Sequence, residues 1–328
     1  MRFRAVLLIA TLLFSGLMAT PASAREDVAT VVSEKAISPR LLELQVHSDA
    51  LDATVGVRVL LPKDWTKYRH RTWPTLYLLH GANDNYQSWT DKTDVTAFTA
   101  DTDALIVMPD AGVVGFYSNW YNAGKGGAPA WETFHLTELR RLLEKKFRAG
   151  PLRAVAGLSM GGLGALDYSA RHPGFFRAVA SYSGLVNTTY VNQTQQASAL
   201  IQGYLVRAGF DKDALWGDPV AQARVWSAHN PYDLAARLRC IPVFISVGNG
   251  QVGPLDPPGA KPDLLEGALG EETGPAIAHF RAEHVSVTSD LYGAGTHSWP
   301  YWQRELHKSF PMLMRSIGAS FRIPATAG

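Results

Sequence analysis

Apolar residues in this chain fall into short blocks separated by polar or turn-forming residues, and two kinds of block alternate. Runs at 42–47, 55–61, 75–79, 105–108, 153–156, 178–182, 242–247 and 285–291 are rich in Val, Leu, Ile and Ala and predict strands. Several of them are nearly continuous apolar blocks, as expected where helices cover both faces of a parallel sheet. Stretches at 131–147, 161–171, 195–207 and 301–317 carry apolar residues at helical spacing and predict helices between the strands. The first two strands, joined through Ser48-Asp49-Ala50, predict an antiparallel opening hairpin. With no repeat or low-complexity tract to interrupt it, the alternation predicts an α/β fold: a mostly parallel central sheet with helices on both faces.

The N-terminus departs from this pattern. Arg2 and Arg4 precede an apolar run over 5–18, and Ala22-Ser23-Ala24 follows. Charge, apolar run and small-residue ending, in that order, predict a signal peptide over 1–24, removed after Ala24, and a secreted, extracellular protein. The run is shorter than the ~20 apolar residues of a spanning helix, so no transmembrane segment is expected after signal removal. Residues 25–328 then form a single domain. Cys240 is the sole cysteine, so no internal disulfide can form and the fold must rest on its apolar core, with Cys240 expected inside it as a small hydrophobe. A net charge of +2 with interspersed signs provides no basic stripe for nucleic acid and no polybasic segment for membranes. No His or Cys pair has metal-ligand spacing, so no metal or cofactor is expected.

Chemistry is most concentrated in Gly157-Leu158-Ser159-Met160-Gly161, followed by Gly162, between a predicted strand and a predicted helix. A nucleophile elbow needs small residues two before and two after its serine, because a Cβ at either place would strike the neighbouring strand or helix. Ser159 is therefore the candidate nucleophile. A serine hydroxyl needs a base, which in such a fold comes last in the chain. His297, in Gly295-Thr296-His297-Ser298-Trp299, follows the final strand and lies on the same sheet edge. His279 and His284 precede that strand and His307 belongs to the closing helix; all three are expected at the surface. The orienting carboxylate should follow the strand at 242–247, where Asp256, Asp263, Glu266, Glu271 and Glu272 all qualify and spacing does not choose among them. Two backbone donors for an oxyanion are expected at Met160, after the nucleophile, and at Ala82, in the His-Gly loop Leu78-Leu79-His80-Gly81-Ala82.

These residues, with Phe116-Tyr117-Ser118-Asn119-Trp120-Tyr121, Trp131-Glu132-Thr133-Phe134, Gly248-Asn249-Gly250, Leu265-Glu266-Gly267 and Thr296-His297-Ser298-Trp299 with Tyr301-Trp302, make the chain resemble the antigen 85 family of secreted mycolyltransferases and related actinobacterial esterases. The resemblance implies an α/β-hydrolase fold and the triad order Ser159, Glu266, His297. The family carries Leu-Leu-Asp-Gly-Leu-Arg where this chain has Leu78, Leu79, His80, Gly81, Ala82 and Asn83. Its aspartate and arginine there help bind trehalose, and an amide does not replace a guanidinium fork, so His80 and Asn83 weigh against trehalose and toward hydrolysis. The family's local disulfide has no counterpart in 124–129. His80, Asn83 and Trp299 are candidates for substrate contact, with a loop-bracing role the competing reading for His80. The aromatic stretch 116–121 is expected to pack in the core, and the helix at 195–207 is a candidate wall for an acyl trench.

Three functions are thus open: a secreted serine carboxylic ester hydrolase, an acyltransferase of the mycolyl or acylglycerol type using a sugar or glycerol hydroxyl, and a fibronectin-type adhesion protein. The expected partners are small-molecule or lipid esters.

Overall fold

The computed structural model describes residues 28–192 and 196–323. The expected signal peptide at 1–24 lies outside the described residues. Nine strands form one sheet among the described residues: β1 (Thr30–Ala36), β2 (Leu41–Ser48), β3 (Ala53–Leu60), β4 (Trp73–Leu79), β5 (Leu105–Pro109), β6 (Ala149–Leu158), β7 (Val179–Tyr182), β8 (Val243–Val247) and β9 (Val287–Leu291), in the order β1-β2-β3-β5-β4-β6-β7-β8-β9. β1, β2 and β3 pair antiparallel, β3 joins β5 antiparallel, and every pairing from β5 to β9 is parallel. Strand burial follows the apolar pattern. In β2, Leu44 and Val46 are buried while Glu43, Gln45 and His47 are partly exposed, whereas β5, β7 and β8 are buried at every position.

The helices are α1 (Ser88–Lys92), α2 (Val95–Phe98), α3 (Trp131–Thr133), α4 (Arg140–Phe147), α5 (Met160–Arg171), α6 (Ala197–Arg207), α7 (Ala223–Ala228), α8 (Leu264–Ala282) and α9 (Trp299–Ser316). They divide the core in two. Trp89, Phe98, Leu306, Phe310 and Leu313 cover one face of the sheet, and Leu142, Leu163, Ile201, Leu269 and Phe280 belong to the core on the other. Because the parallel strands all end at one edge, the residues after β4, β6, β7, β8 and β9 are brought together there.

Several features differ from expectation. β1 precedes the predicted hairpin; it is an outer strand, exposed at six of its seven positions, and so lacks an apolar signal. Helix α8 is hidden in the sequence by Gly267, Gly270, Gly274 and Pro275, all poor in helix interiors. It forms because Glu266, Leu269, Glu272, Thr273, Ala276, Ile277 and Phe280 line one buried face. The predicted helix at 131–147 contains a wider-wound segment, Phe134–Leu139, in which His135 lies 2.8 Å from both the Tyr168 hydroxyl and the Asp110 carbonyl. Burial lowers the pKa of that imidazole to about 4. Cys240 is exposed, not buried: it stands in the turn before β8, where Leu238 faces the core and Cys240 faces water. His284 is exposed, but His279 and His307 are half-buried, stacked on Tyr232 and Phe98 at ring separations of 4.0 and 3.9 Å.

Candidate active site

The strand β6 ends at Leu158 and α5 starts at Met160, leaving Ser159 alone to make the turn at φ 53° and ψ −121°. A positive φ is costly for a residue with a side chain and persists only where surrounding contacts enforce it. Here the Ser159 N–H donates to the Tyr182 carbonyl at 2.9 Å, and the Ser159 carbonyl accepts from the Gly162 N–H at 2.9 Å. The glycines are steric necessities. A Cβ on Gly157 would sit 2.2 Å from the Gly161 carbonyl oxygen, and one on Gly161 would sit 2.5 Å from that of Leu79.

The loop after β4 packs onto this turn, so closely that a Cβ on Gly81 would lie 3.3 Å from that of Ser159. Ala82 and Met160 line the same pocket as Ser159, and among the described residues neither backbone N–H has a hydrogen-bond partner. His80 is placed otherwise than a substrate contact requires. Its buried ring accepts the Ala111 N–H on Nε2 at 2.9 Å, which leaves Nδ1, 2.8 Å from the Gly81 carbonyl, as the donor. Both nitrogens therefore brace the loop, and the expectation of substrate contact gives way to the bracing role. Asn83 is exposed at φ 59° in the turn, with its N–H on the Val113 carbonyl at 2.9 Å. Half-buried Trp299 packs edge-on against Trp89 and Trp302, both at 5.3 Å, outside the lining of the pocket.

The five loop acids have five different surroundings. Asp256 accepts from the Gly253 N–H at 2.8 Å, the Tyr301 hydroxyl at 3.0 Å and the Thr296 hydroxyl, tying the loop to the residue before His297. Asp263 caps α8 by accepting the Glu266 N–H at 2.9 Å. Glu271 accepts from Asn192 at 2.9 Å. Glu272 accepts the Val186 N–H at 2.8 Å, and burial raises its carboxyl to about 8. Glu266 alone meets a histidine: its Oε2 is 2.7 Å from His297 Nδ1, with Glu266 fully buried.

Of the residues around this pair, Ser183 and Tyr292 carry no marked signal in the sequence, whereas Gly248 opens the Gly248-Asn249-Gly250 motif. Glu266 Oε1 accepts from the Ser183 hydroxyl at 2.8 Å, the Tyr292 hydroxyl at 2.9 Å and the Gly248 N–H at 2.7 Å. Ser183, at φ 47° just beyond β7, also accepts the Trp302 indole N–H at 3.0 Å, and the Trp302 ring stands edge-on to His297 at 4.9 Å. Their one common cue is position, since Ser183, Gly248 and Tyr292 each directly follow a parallel strand. Ser183, which donates to Glu266, also lines the pocket that holds Ser159.

The pocket is narrow, with about 30 Å³ open to a water-sized group. Phe116, Leu163, Leu185, Leu200, Ile201, Tyr204, Leu265 and Leu269 line it. Phe116, Tyr117 and Trp120 are all buried in the core, with Phe116 also facing the pocket, and α6 presents Leu200, Ile201 and Tyr204. Among the described residues no group of three His, Cys, Asp or Glu side chains could hold a metal, and no helix is long and apolar enough to cross a membrane.

A family model described as Putative esterase matches residues 48–313. An esterase of Mycobacterium tuberculosis is 35% identical over 228 residues, 66% of this chain but 48% of that protein, so the chain spans about half the length of this relative. The diacylglycerol acyltransferase/mycolyltransferase Ag85B of Mycobacterium leprae is 32% identical over 287 residues, 84% of each chain. Among solved structures, MPT51 of Mycobacterium tuberculosis superposes with a TM-score of 0.68 at 23% identity, covering 84% of this chain and 97% of its own. That likeness, with the mostly parallel sheet, identifies the fold as that of an α/β-hydrolase.

Proposed function

The chain belongs to the esterase family, with antigen 85 acyltransferases among its relatives, and from that premise we propose that it is a serine carboxylic ester hydrolase working through an acyl-serine intermediate. The observation that supports this reading most is one pocket holding Ser159 in its left-handed turn, the unpartnered N–H groups of Ala82 and Met160, and Ser183, which donates to the Glu266 that meets His297. His297 takes the Ser159 proton on Nε2 as Oγ bonds to the ester carbonyl carbon, while Glu266 holds Nδ1–H and stabilises the imidazolium. The carbonyl oxygen becomes an oxyanion on the Ala82 and Met160 amides. The carbon–oxygen bond to the alcohol then breaks, and the alcohol leaves with the His297 proton. Water enters by the same base, adds to the acyl carbon, and releases the acid and free Ser159.

Acyl transfer, in which an acceptor hydroxyl replaces that water, is the second reading, supported by the similarity to the diacylglycerol acyltransferase/mycolyltransferase Ag85B. Hydrolysis is preferred because His80 is turned inward and Asn83 offers no charge for holding a sugar. Product analysis with and without trehalose or glycerol separates the two, since transfer yields a new ester at the expense of free acid. Adhesion that survives loss of Ser159 would favour the binding-protein alternative. We also propose export by removal of 1–24, leaving one catalytic domain over 25–328; an N-terminal sequence of the secreted protein beginning elsewhere than Arg25 would refute that boundary. The central test is Ser159→Ala with p-nitrophenyl butanoate. A loss of about a thousandfold or more in kcat is expected, and retained turnover would end the proposal.

A further inference from the structure

The pocket at Ser159 ends inside the protein. Ala82, Leu200, Tyr204 and Leu265, all half-buried, stand around its mouth. Leu163, Leu185, Ile201 and Leu269 form its inner wall and are 1%, 6%, 1% and 3% exposed. They come from α5, the turn after β7, α6 and α8, and all four belong to one continuous core. An acyl chain entering from the serine therefore runs into packed side chains at near-crystalline density, which do not part without cost. Only about 30 Å³ of the pocket admits a water-sized group, so nothing longer than a short acyl chain fits without moving its wall. Apart from Ser159, Ser183 and the Tyr204 hydroxyl, the lining is apolar, which suits an unbranched alkyl chain and penalises a charged or sugar-bearing acid.

Resting on the reading of Ser159 as nucleophile, we infer that the enzyme selects esters of short unbranched acids, and that Ile201 and Leu269 in the buried inner wall set the length limit. Branched or much longer chains require these two side chains to be displaced from the core. A shorter residue at either position extends the pocket along its own axis.

The test is the kcat/KM series for p-nitrophenyl acetate, butanoate, hexanoate, octanoate, decanoate and dodecanoate. The expected maximum lies at octanoate or below, with a fall of at least about tenfold by dodecanoate. Ile201→Ala moves the maximum toward longer chains, and the milder Ile201→Val moves it less in the same direction if the alanine variant fails to fold. A second readout needs no turnover: the melting temperature of Ser159→Ala rises with added butanoate, hexanoate and octanoate and gains nothing further from decanoate. A profile flat or climbing through dodecanoate, a maximum unmoved in a folded Ile201 variant, or a melting temperature that keeps rising through decanoate overturns the inference. If no ester of any length is cleaved, the proposed reaction fails, while the carboxylate series still decides the length limit.

Discussion

Helix α8 carries two buried carboxylates six residues apart, Glu266 and Glu272, at 0% and 1% exposure, and the protein surrounds them in opposite ways. Glu266 Oε1 receives the Gly248 N–H and the Ser183 and Tyr292 hydroxyls, and its Oε2 receives His297. Glu272 Oε1 receives the Val186 N–H, and its Oε2 has no partner among the described residues. The Val186 and Asn187 backbone N–H groups favour its ionised form, but burial outweighs them and raises the Glu272 carboxyl to about 8. The lesson concerns what a buried acid needs to serve an imidazole. Depth alone makes a carboxyl retain its proton, and only converging donors compensate an ionised one for lost water.

The same substitution at both positions is the sharpest way to break this comparison. Glu266→Gln should lower kcat on p-nitrophenyl butanoate by about 10³ to 10⁴, the scale seen when an orienting carboxylate becomes an amide. Glu272→Gln should leave kcat within about twofold, since that side chain only braces the backbone after Leu185. Equal losses at the two sites would abolish the distinction drawn between them.

Ser183→Ala comes next in size. It removes a hydrogen bond to the Glu266 carboxylate and the acceptor of the Trp302 N–H, so kcat should fall about ten- to a hundredfold with KM changed far less. Steady-state kinetics that place the loss in KM would mean Ser183 acts as a pocket wall instead. Tyr292→Phe deletes one donor of three to Oε1 and should cost about three- to tenfold in kcat.

The smallest effect is on stability. Below pH 4.5, the ordinary value for Glu272, folded and unfolded chains both carry its proton. Between there and about 8 only the folded chain retains it, so the unfolded state is increasingly favoured as pH rises, and the penalty is complete above 8. Glu272→Gln cannot ionise and should therefore gain on the parent protein steadily from pH 5 to pH 8.5. Calorimetric melting temperatures should diverge by a few degrees, at roughly 2–4 °C per kcal/mol for a domain of this size. A constant offset across that range would show that Glu272 does not titrate as its surroundings imply.

Much of the fold was legible in the chain because its signals are local. Each strand from β2 to β9 coincides with an apolar run, and the turn at Ser159 is written in glycines that admit no other residue. The His80 ring was less readable, since the same His-Gly pair suits a residue facing substrate or one facing the loop beneath it. Only the Ala111 N–H, thirty-one residues away, distinguishes them. Helix α8 and strand β1 escaped for a related reason. One gains its helicity from a buried face and the other its strand conformation from pairing with β2, not from their own composition.

What the amino-acid order determined by itself, then, was the alternation of strands and helices, the elbow, and a shortlist of acids and histidines for chemistry. Which acid meets His297, which serine, tyrosine and indole hold that acid in place, and where the apolar pocket stops were decided by tertiary structure. The physical reason is range: sterics and periodicity act over a few neighbouring residues, whereas hydrogen bonds to Glu266 and the closure of the pocket join positions from 82 to 302 that only the sheet edge brings within contact.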